Sequence, residues 1–224
     1  MGQAIISRRG GGSPQKKQAS VYSQNADIGA GTSLTVSLLS CDDGDLMLAY
    51  FMCRSAYTLP TGWNLVFAES LLESSITQYI GVAYKVKSSQ NGATFTITQE
   101  TFGRIGAQIF CVKNAGLPYQ IDITTTAQCP ASGYQMPDTK THDLTVWGVQ
   151  SVVLSSYPEY ILVEPANMPT YHALSHFAPV MDGQNRLITI CDTLGSTQEK
   201  KIYRPNYTDG YLFQLVAVGI PYNA

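Results

Sequence analysis

Residues Gly44 to Val66, GDLMLAYFMCRSAYTLPTGWNLV, decide the fold of this chain, because they contain one complete unit of strand, turn and strand. Within them, Leu46–Cys53 is a nearly continuous apolar run, which is typical of a central strand covered on both faces. Pro60-Thr61-Gly62 forms a turn, and the apolar pattern resumes at Trp63–Phe67. The stretch therefore predicts a strand at the centre of a layered β-structure.

A fainter copy of this unit follows in the second half of the chain. In both copies an Asp-Leu pair opens the apolar run, and a proline follows fifteen residues after the Asp. Such a repeat predicts a β-sandwich with pseudo-repeated halves, at about residues 20–118 and 119–224. The positions that correspond are Asp45-Leu46 with Asp143-Leu144, Pro60 with Pro158, and Leu65-Val66 with Leu162-Val163.

The rest of the chain continues this pattern of short strands and turns, and no segment has an amphipathic helical spacing. Ala93–Thr98 and Phe102–Val112 are predicted as two further strands. Ser88–Gly92, with its Asn-Gly pair, is predicted as a hairpin-like turn before the first of them. Each half alone would expose a sheet face and sheet edges. We therefore expect residues 20–224 to form one all-β domain, a jelly-roll-like β-sandwich.

The first nineteen residues are predicted to form an extended, flexible arm, since Gly10–Gly12 is followed by Ser13-Pro14. The first 26 residues carry a net charge of +4 and the remainder −6, so a basic arm precedes an acidic body. A solvated tail and an anchor are both compatible with this pattern. Four basic residues without interleaved aromatics argue against nucleic acid and favour an acidic groove on a neighbouring protein. The candidate anchoring residues are Ile5, Ile6, Arg8, Arg9, Lys16 and Lys17.

The five cysteines are scattered, and no two lie closer than twelve residues, which excludes a CxxC metal or redox pair. An odd count without a signal peptide predicts cytosolic synthesis with reduced thiols. No apolar run approaches the roughly 18 residues of a membrane span, so no membrane partner is expected. The cysteines expected to act as small buried hydrophobes are Cys53, Cys111 and Cys191.

The first half of the chain carries a series of short motifs in a fixed order: Gly44-Asp45-Leu46, Leu59-Pro60-Thr61-Gly62-Trp63, Tyr84-Lys85-Val86, Ala93-Thr94-Phe95-Thr96 and Asn114-Ala115-Gly116. This series resembles a β-sandwich module that recurs in structural proteins of tailed phages and prophages. The opening MGQAIISRRGGG also resembles N-termini of tail-associated proteins from phages of Gram-positive bacteria. The resemblance covers about residues 1–116, and the second half matches loosely.

The resemblance implies a bacteriophage virion protein near the tail, assembled in the bacterial host cytoplasm. Its implied partners are other virion proteins, further copies of itself and a glycan on the host cell surface. The expected role is structural and non-enzymatic, with the arm docking the body and the body contributing to host attachment. A carbohydrate-binding module or lectin-like adhesin is the alternative.

No constellation of residues at catalytic spacing appears in the sequence, and neither a cofactor nor a resident metal is expected. The densest acidic cluster is Asp42, Asp43 and Asp45, whose carboxylates are ligands that Ca²⁺ accepts, but a solvated turn is the favoured interpretation. Tyrosines in or beside loops are candidates for glycan stacking or subunit contact, with ordinary strand-end packing as the alternative. They are Tyr57, Tyr157, Tyr203 and Tyr207.

Overall fold

The computed structural model describes residues 19–38, 40–73, 76–126, 134–135, 144–152, 162–164, 171–177, 185–192, 201–203 and 213–221. These residues form fourteen strands and no helix, and therefore no helix that could cross a membrane. The strands are β1 (Ser20–Ser37), β2 (Leu46–Cys53), β3 (Tyr57–Thr58), β4 (Asn64–Glu73), β5 (Ile76–Val86), β6 (Thr94–Lys113), β7 (Tyr119–Thr126), β8 (Tyr134–Gln135), β9 (Leu144–Val152), β10 (Leu162–Glu164), β11 (Tyr171–Phe177), β12 (Asn185–Asp192), β13 (Lys201–Tyr203) and β14 (Phe213–Ile220).

The first sheet has the strand order β1-β6-β2-β5-β4, with β3 paired to β6, and all of its pairings are antiparallel. The strand β2 lies at its centre and is buried over its whole length. Even-numbered residues of β2 face one hydrophobic core, and odd-numbered residues face another. Side chains alternate between the faces of a sheet, so two covered faces explain the unbroken apolar run. The predicted central strand is confirmed.

The strands β1 and β6 form a long ribbon that bends across one face of the first sheet. Its register shifts between Gly31 and Ser33, and the segment beyond the bend packs Phe95 against Phe51 of β2. The side chain of Gln99 holds the bend, since its Nε2 donates to the Gly31 carbonyl (2.6 Å) and its Oε1 accepts from the Arg54 amide (2.8 Å). The bend lets one pair of strands contribute to two layers.

The second sheet has the strand order β11-β12-β9-β14-β7, and a small third sheet has the order β10-β13-β8. Reversed, the second sheet runs β7-β14-β9-β12-β11. This order matches β1-β6-β2-β5-β4 if β9 corresponds to β2 and β14 to β6. Under the same correspondence, β8 matches residues 33–37 of β1, and β13 matches residues 94–98 of β6, which are the segments beyond the bend. The strand β10, which pairs with β13, matches β3, which pairs with β6. Both halves therefore have the same strand order around a central strand.

The two larger sheets pack face to face, and this contact forms the inter-sheet core. Leu144 and Val146 of β9, with Val216 and Val218 of β14, pack against the even-numbered side chains of β2. The hydroxyl of Tyr50 crosses the core and donates to the carbonyl of Val146 (2.8 Å). A buried hydroxyl without a partner would be costly, so this bond favours one alignment of the sheets. The predicted all-β sandwich is confirmed; the jelly-roll connectivity stays a prediction.

The structure corrects three of the predicted strands, turns and repeat positions. Ser88–Gly92 is not a hairpin turn, because β2 lies between the two strands that it connects. Ala93–Thr98 and Phe102–Val112 belong to the single bent strand β6. Leu162-Val163 does not correspond to Leu65-Val66: the former pair lies in β10 of the small sheet, and the latter pair lies in β4 of the first sheet. The pattern matched residues by spacing, whereas topology matches β10 to β3.

Candidate functional site

One end of the sandwich, here called the arm end, carries Ala19, the first described residue, which follows the predicted arm in the sequence. Ala19 is buried in the inter-sheet core, although the sequence analysis assigns it to the arm. The next strand residues, beginning at Ser20, pair with the end of β6 at Lys113. The described C-terminal residue, Pro221, lies at the same end, where its carbonyl accepts a hydrogen bond from the Gly116 amide. Residues 1–18 therefore connect to a fixed point on the body.

The acidic turn, residues Asp42 to Asp45, also lies at the arm end, between β1 and β2. Asp42 is paired with Lys113 (2.9 Å), and Asp43 is paired with Lys87 (3.1 Å). Gly44 has a positive φ of 92°, which suits glycine in a tight turn. Exposed ion pairs contribute little stability one by one. The two lysines pair with carboxylates that a calcium ion would need as ligands, which favours the predicted solvated turn over a calcium loop.

The phenol of Tyr22 links the acidic turn to the first sheet. Its O–H donates to Oδ2 of Asp45 (2.6 Å), and its oxygen accepts from the Asp42 amide (2.8 Å). The ammonium of Lys113 lies 4.2 Å from the centre of the Tyr22 ring. Burial, and then the hydrogen bond to Asp45, raise the pKa of Tyr22 to about 12. The phenol therefore stays protonated and acts as a donor at neutral pH.

A disulfide joins Cys41, just before the acidic turn, to Cys111 on β6, with their Cα atoms 5.7 Å apart. The prediction that all thiols are reduced is wrong for this pair. The two cysteines are 70 positions apart in the sequence, and they meet because β6 lies beside both β1 and β2. Cys53 is buried as predicted, and burial raises the pKa of its thiol to about 12, so it is unreactive at neutral pH.

The opposite end, here called the distal end, carries the two most exposed large apolar side chains of the described residues. The last row of β2 pairs Cys53 with Ile105 and Tyr79, and both Phe102 and Leu72 lie beyond that row. The side chain of Phe102 is 77% exposed and that of Leu72 is 68% exposed. Phe102 belongs to a predicted apolar strand, but the bend of β6 places it outside both cores. Exposed aromatic side chains are typical of contact surfaces.

Tyr57 is the one candidate loop tyrosine whose side chain lies in the described part of the chain. It lies in the two-residue strand β3 and is half-buried, with its ring 4.8 Å from that of Phe51 and 6.1 Å from that of Tyr79. Burial raises the pKa of its hydroxyl. This environment favours the packing alternative over glycan stacking. Trp63 is buried against Phe95, as a core residue would be.

The remaining candidate residues lie largely outside the described part of the chain. The backbone of Tyr203 lies in β13. The structure thus brings together the acidic turn, Tyr22 and the cysteine pair, and the sequence analysis missed the last two. The candidates outside the described residues are Ile5, Ile6, Arg8, Arg9, Lys16, Lys17, Tyr157 and Tyr207.

Comparison with known proteins adds no relative to this description. No family model, no curated protein and no solved structure matches this chain.

Proposed function

We propose that this chain is a non-enzymatic structural protein of a bacteriophage virion, associated with the tail and docked by its basic arm. The distal end then faces outward and contacts either neighbouring copies or the host surface. The motifs between Gly44 and Gly116, together with the opening MGQAIISRRGGG, support the assignment to a virion. The different character of the two ends of the body supports a different role for each end.

The separation of the two ends is the observation that carries this proposal. The predicted arm joins the body at Ala19, which is buried, so a force applied to the arm acts directly on the inter-sheet core. The exposed Phe102 and Leu72 lie at the other end of the same sheet. A protein held at one end and presenting apolar side chains at the other is suited to link a particle to a second surface.

Deletion of residues 2–18 tests the docking role of the arm. We expect the truncated protein to fold, because the deletion stops before the buried Ala19, and to be absent from purified particles. The measurement is immunoblotting of gradient-purified particles, beside a thermal melt of the isolated protein. A full-length variant with glutamine at Arg8, Arg9, Lys16 and Lys17 separates charge from arm length. Incorporation of the truncated protein at the wild-type level would refute the proposal.

A further inference from the structure

Two sulfurs and one carboxylate converge at the arm end of the body. The Sγ atoms of Cys41 and Cys111 and a carboxylate oxygen of Asp45 all lie within 4.8 Å of one another. Oδ2 of Asp45 is 3.9 Å from Sγ of Cys111. Around a tetrahedral Zn²⁺, with Zn–S near 2.3 Å and Zn–O near 2.0 Å, sulfur and oxygen ligands are separated by about 3.5 Å. We propose that Cys41, Cys111 and Asp45 bind Zn²⁺ when the disulfide is reduced.

The surrounding residues fit such a site. A carboxylate ligand is usually oriented by a hydrogen bond from a second residue, and the Tyr22 O–H donates to Oδ2 of Asp45 (2.6 Å). Two thiolates, one carboxylate and one Zn²⁺ sum to a single negative charge. The ammonium of Lys113, which pairs with Asp42 and lies over the Tyr22 ring, places a cation beside this cluster. Three protein ligands leave the fourth position of the metal for a water molecule.

The disulfide and the metal site exclude each other, because Zn²⁺ binds cysteine as the thiolate and a sulfur in a disulfide is not a thiolate. A phosphine reductant breaks the S–S bond, gives two thiols and becomes a phosphine oxide with oxygen from water. Zn²⁺ then replaces the two thiol protons, which pass to solvent. Cys111 is fully buried, whereas Cys41 and Asp45 are partly exposed, so the metal enters from the side of the acidic turn. The arm end is thus held by a disulfide under oxidising conditions and by a metal under reducing conditions.

Metal analysis of the full chain tests this proposal. After treatment with phosphine, incubation with Zn²⁺ and gel filtration, we expect one Zn²⁺ per chain, and none in the untreated, oxidised protein. Co²⁺ in place of Zn²⁺ should give sulfur-to-metal charge-transfer absorption. Cys41→Ser and Asp45→Asn should each weaken Zn²⁺ binding by more than about 10-fold, since even residues that only orient a ligand have effects of this size. Tyr22→Phe should weaken binding by about 10-fold.

Two variants serve as matched controls. Cys53→Ala removes a buried thiol outside the site, and Asp43→Asn removes a neighbouring carboxylate that pairs with Lys87. Both should bind Zn²⁺ as the wild type does. Protection of Cys41 from alkylation by Zn²⁺ gives a second measurement that needs no variant. A reduced wild type without bound Zn²⁺, or equal binding by Asp45→Asn and Asp43→Asn, would overturn the proposal.

Discussion

Phe51→Ala is expected to lower the free energy of unfolding by about 3–5 kcal/mol, the cost of truncating a fully buried phenylalanine. The Phe51 ring is completely buried and packs between Tyr57 and Phe95, at ring-centre distances of 4.8 and 5.9 Å. On its remaining side it covers Gly81 so closely that a Cβ there would overlap the ring. The alanine variant therefore leaves a cavity that the neighbouring rings cannot fill. Denaturant unfolding of the purified protein measures the loss.

Phe102→Ala is the matched control, since it removes the same atoms from a side chain that is 77% exposed. We expect a change within about 0.5 kcal/mol for this variant. If both variants lost the same stability, the Phe51 side chain would not be buried beneath the bent ribbon of β1 and β6 as described.

Loss of the disulfide has the second large effect. The Cys41–Cys111 bond closes a loop of seventy residues in the unfolded chain, and the entropy of that closure corresponds to about 4 kcal/mol. Cys41→Ser should therefore lower the free energy of unfolding by about 2–4 kcal/mol, measured without reductant and with a metal chelator present. The loss arises chiefly in the unfolded state, because the serine variant keeps the ion pairs of the acidic turn.

A reductant provides the internal control for this prediction. With the chelator still present, reductant should bring the wild type down to the stability of Cys41→Ser and leave that variant unchanged. Cys53→Ala, which alters a thiol outside the disulfide, should remain sensitive to reductant. A wild type whose unfolding is indifferent to reductant would show that the bond is not formed in solution.

The sequence was sufficient for the strands whose two faces are both covered, because their signal is local. β2 was predicted from Leu46 to Cys53, and the structure has the same bounds. β6 was divided into two predicted strands, because the polar segment around Gln99 resembles a loop. In the structure, this polar residue lies within the strand, where the side-chain amide of Gln99 holds the bend by hydrogen bonds to the backbone of Gly31 and Arg54. β7 was missed although Ile121 and Ile123 alternate with polar residues.

The candidate site was less predictable, because it depends on contacts between distant residues. The acidic turn is visible in the sequence, but nothing in the spacing of Cys41 and Cys111 indicates that they meet. Their contact follows from the pairing of β6 with both β1 and β2, and the pairing with β1 also brings Tyr22 to the turn. The exposure of Phe102 likewise depends on where the ribbon bends. An apolar pattern indicates that most residues of a strand are buried. It does not reveal which residue lies beyond the end of the neighbouring strands and is therefore exposed.

Labelling of intact particles tests the proposed orientation of the body most directly. One variant, Phe102→Cys, places a thiol at the distal end, and a second, Val86→Cys, places one at the arm end, where Val86 and Val21 lie in the same row of the sheet. Both positions are exposed in the isolated body, so both variants should react with a maleimide reagent before assembly. In purified particles we predict labelling of Phe102→Cys and protection of Val86→Cys. Protection of Phe102→Cys with labelling of Val86→Cys, or equal labelling of both, would contradict the account.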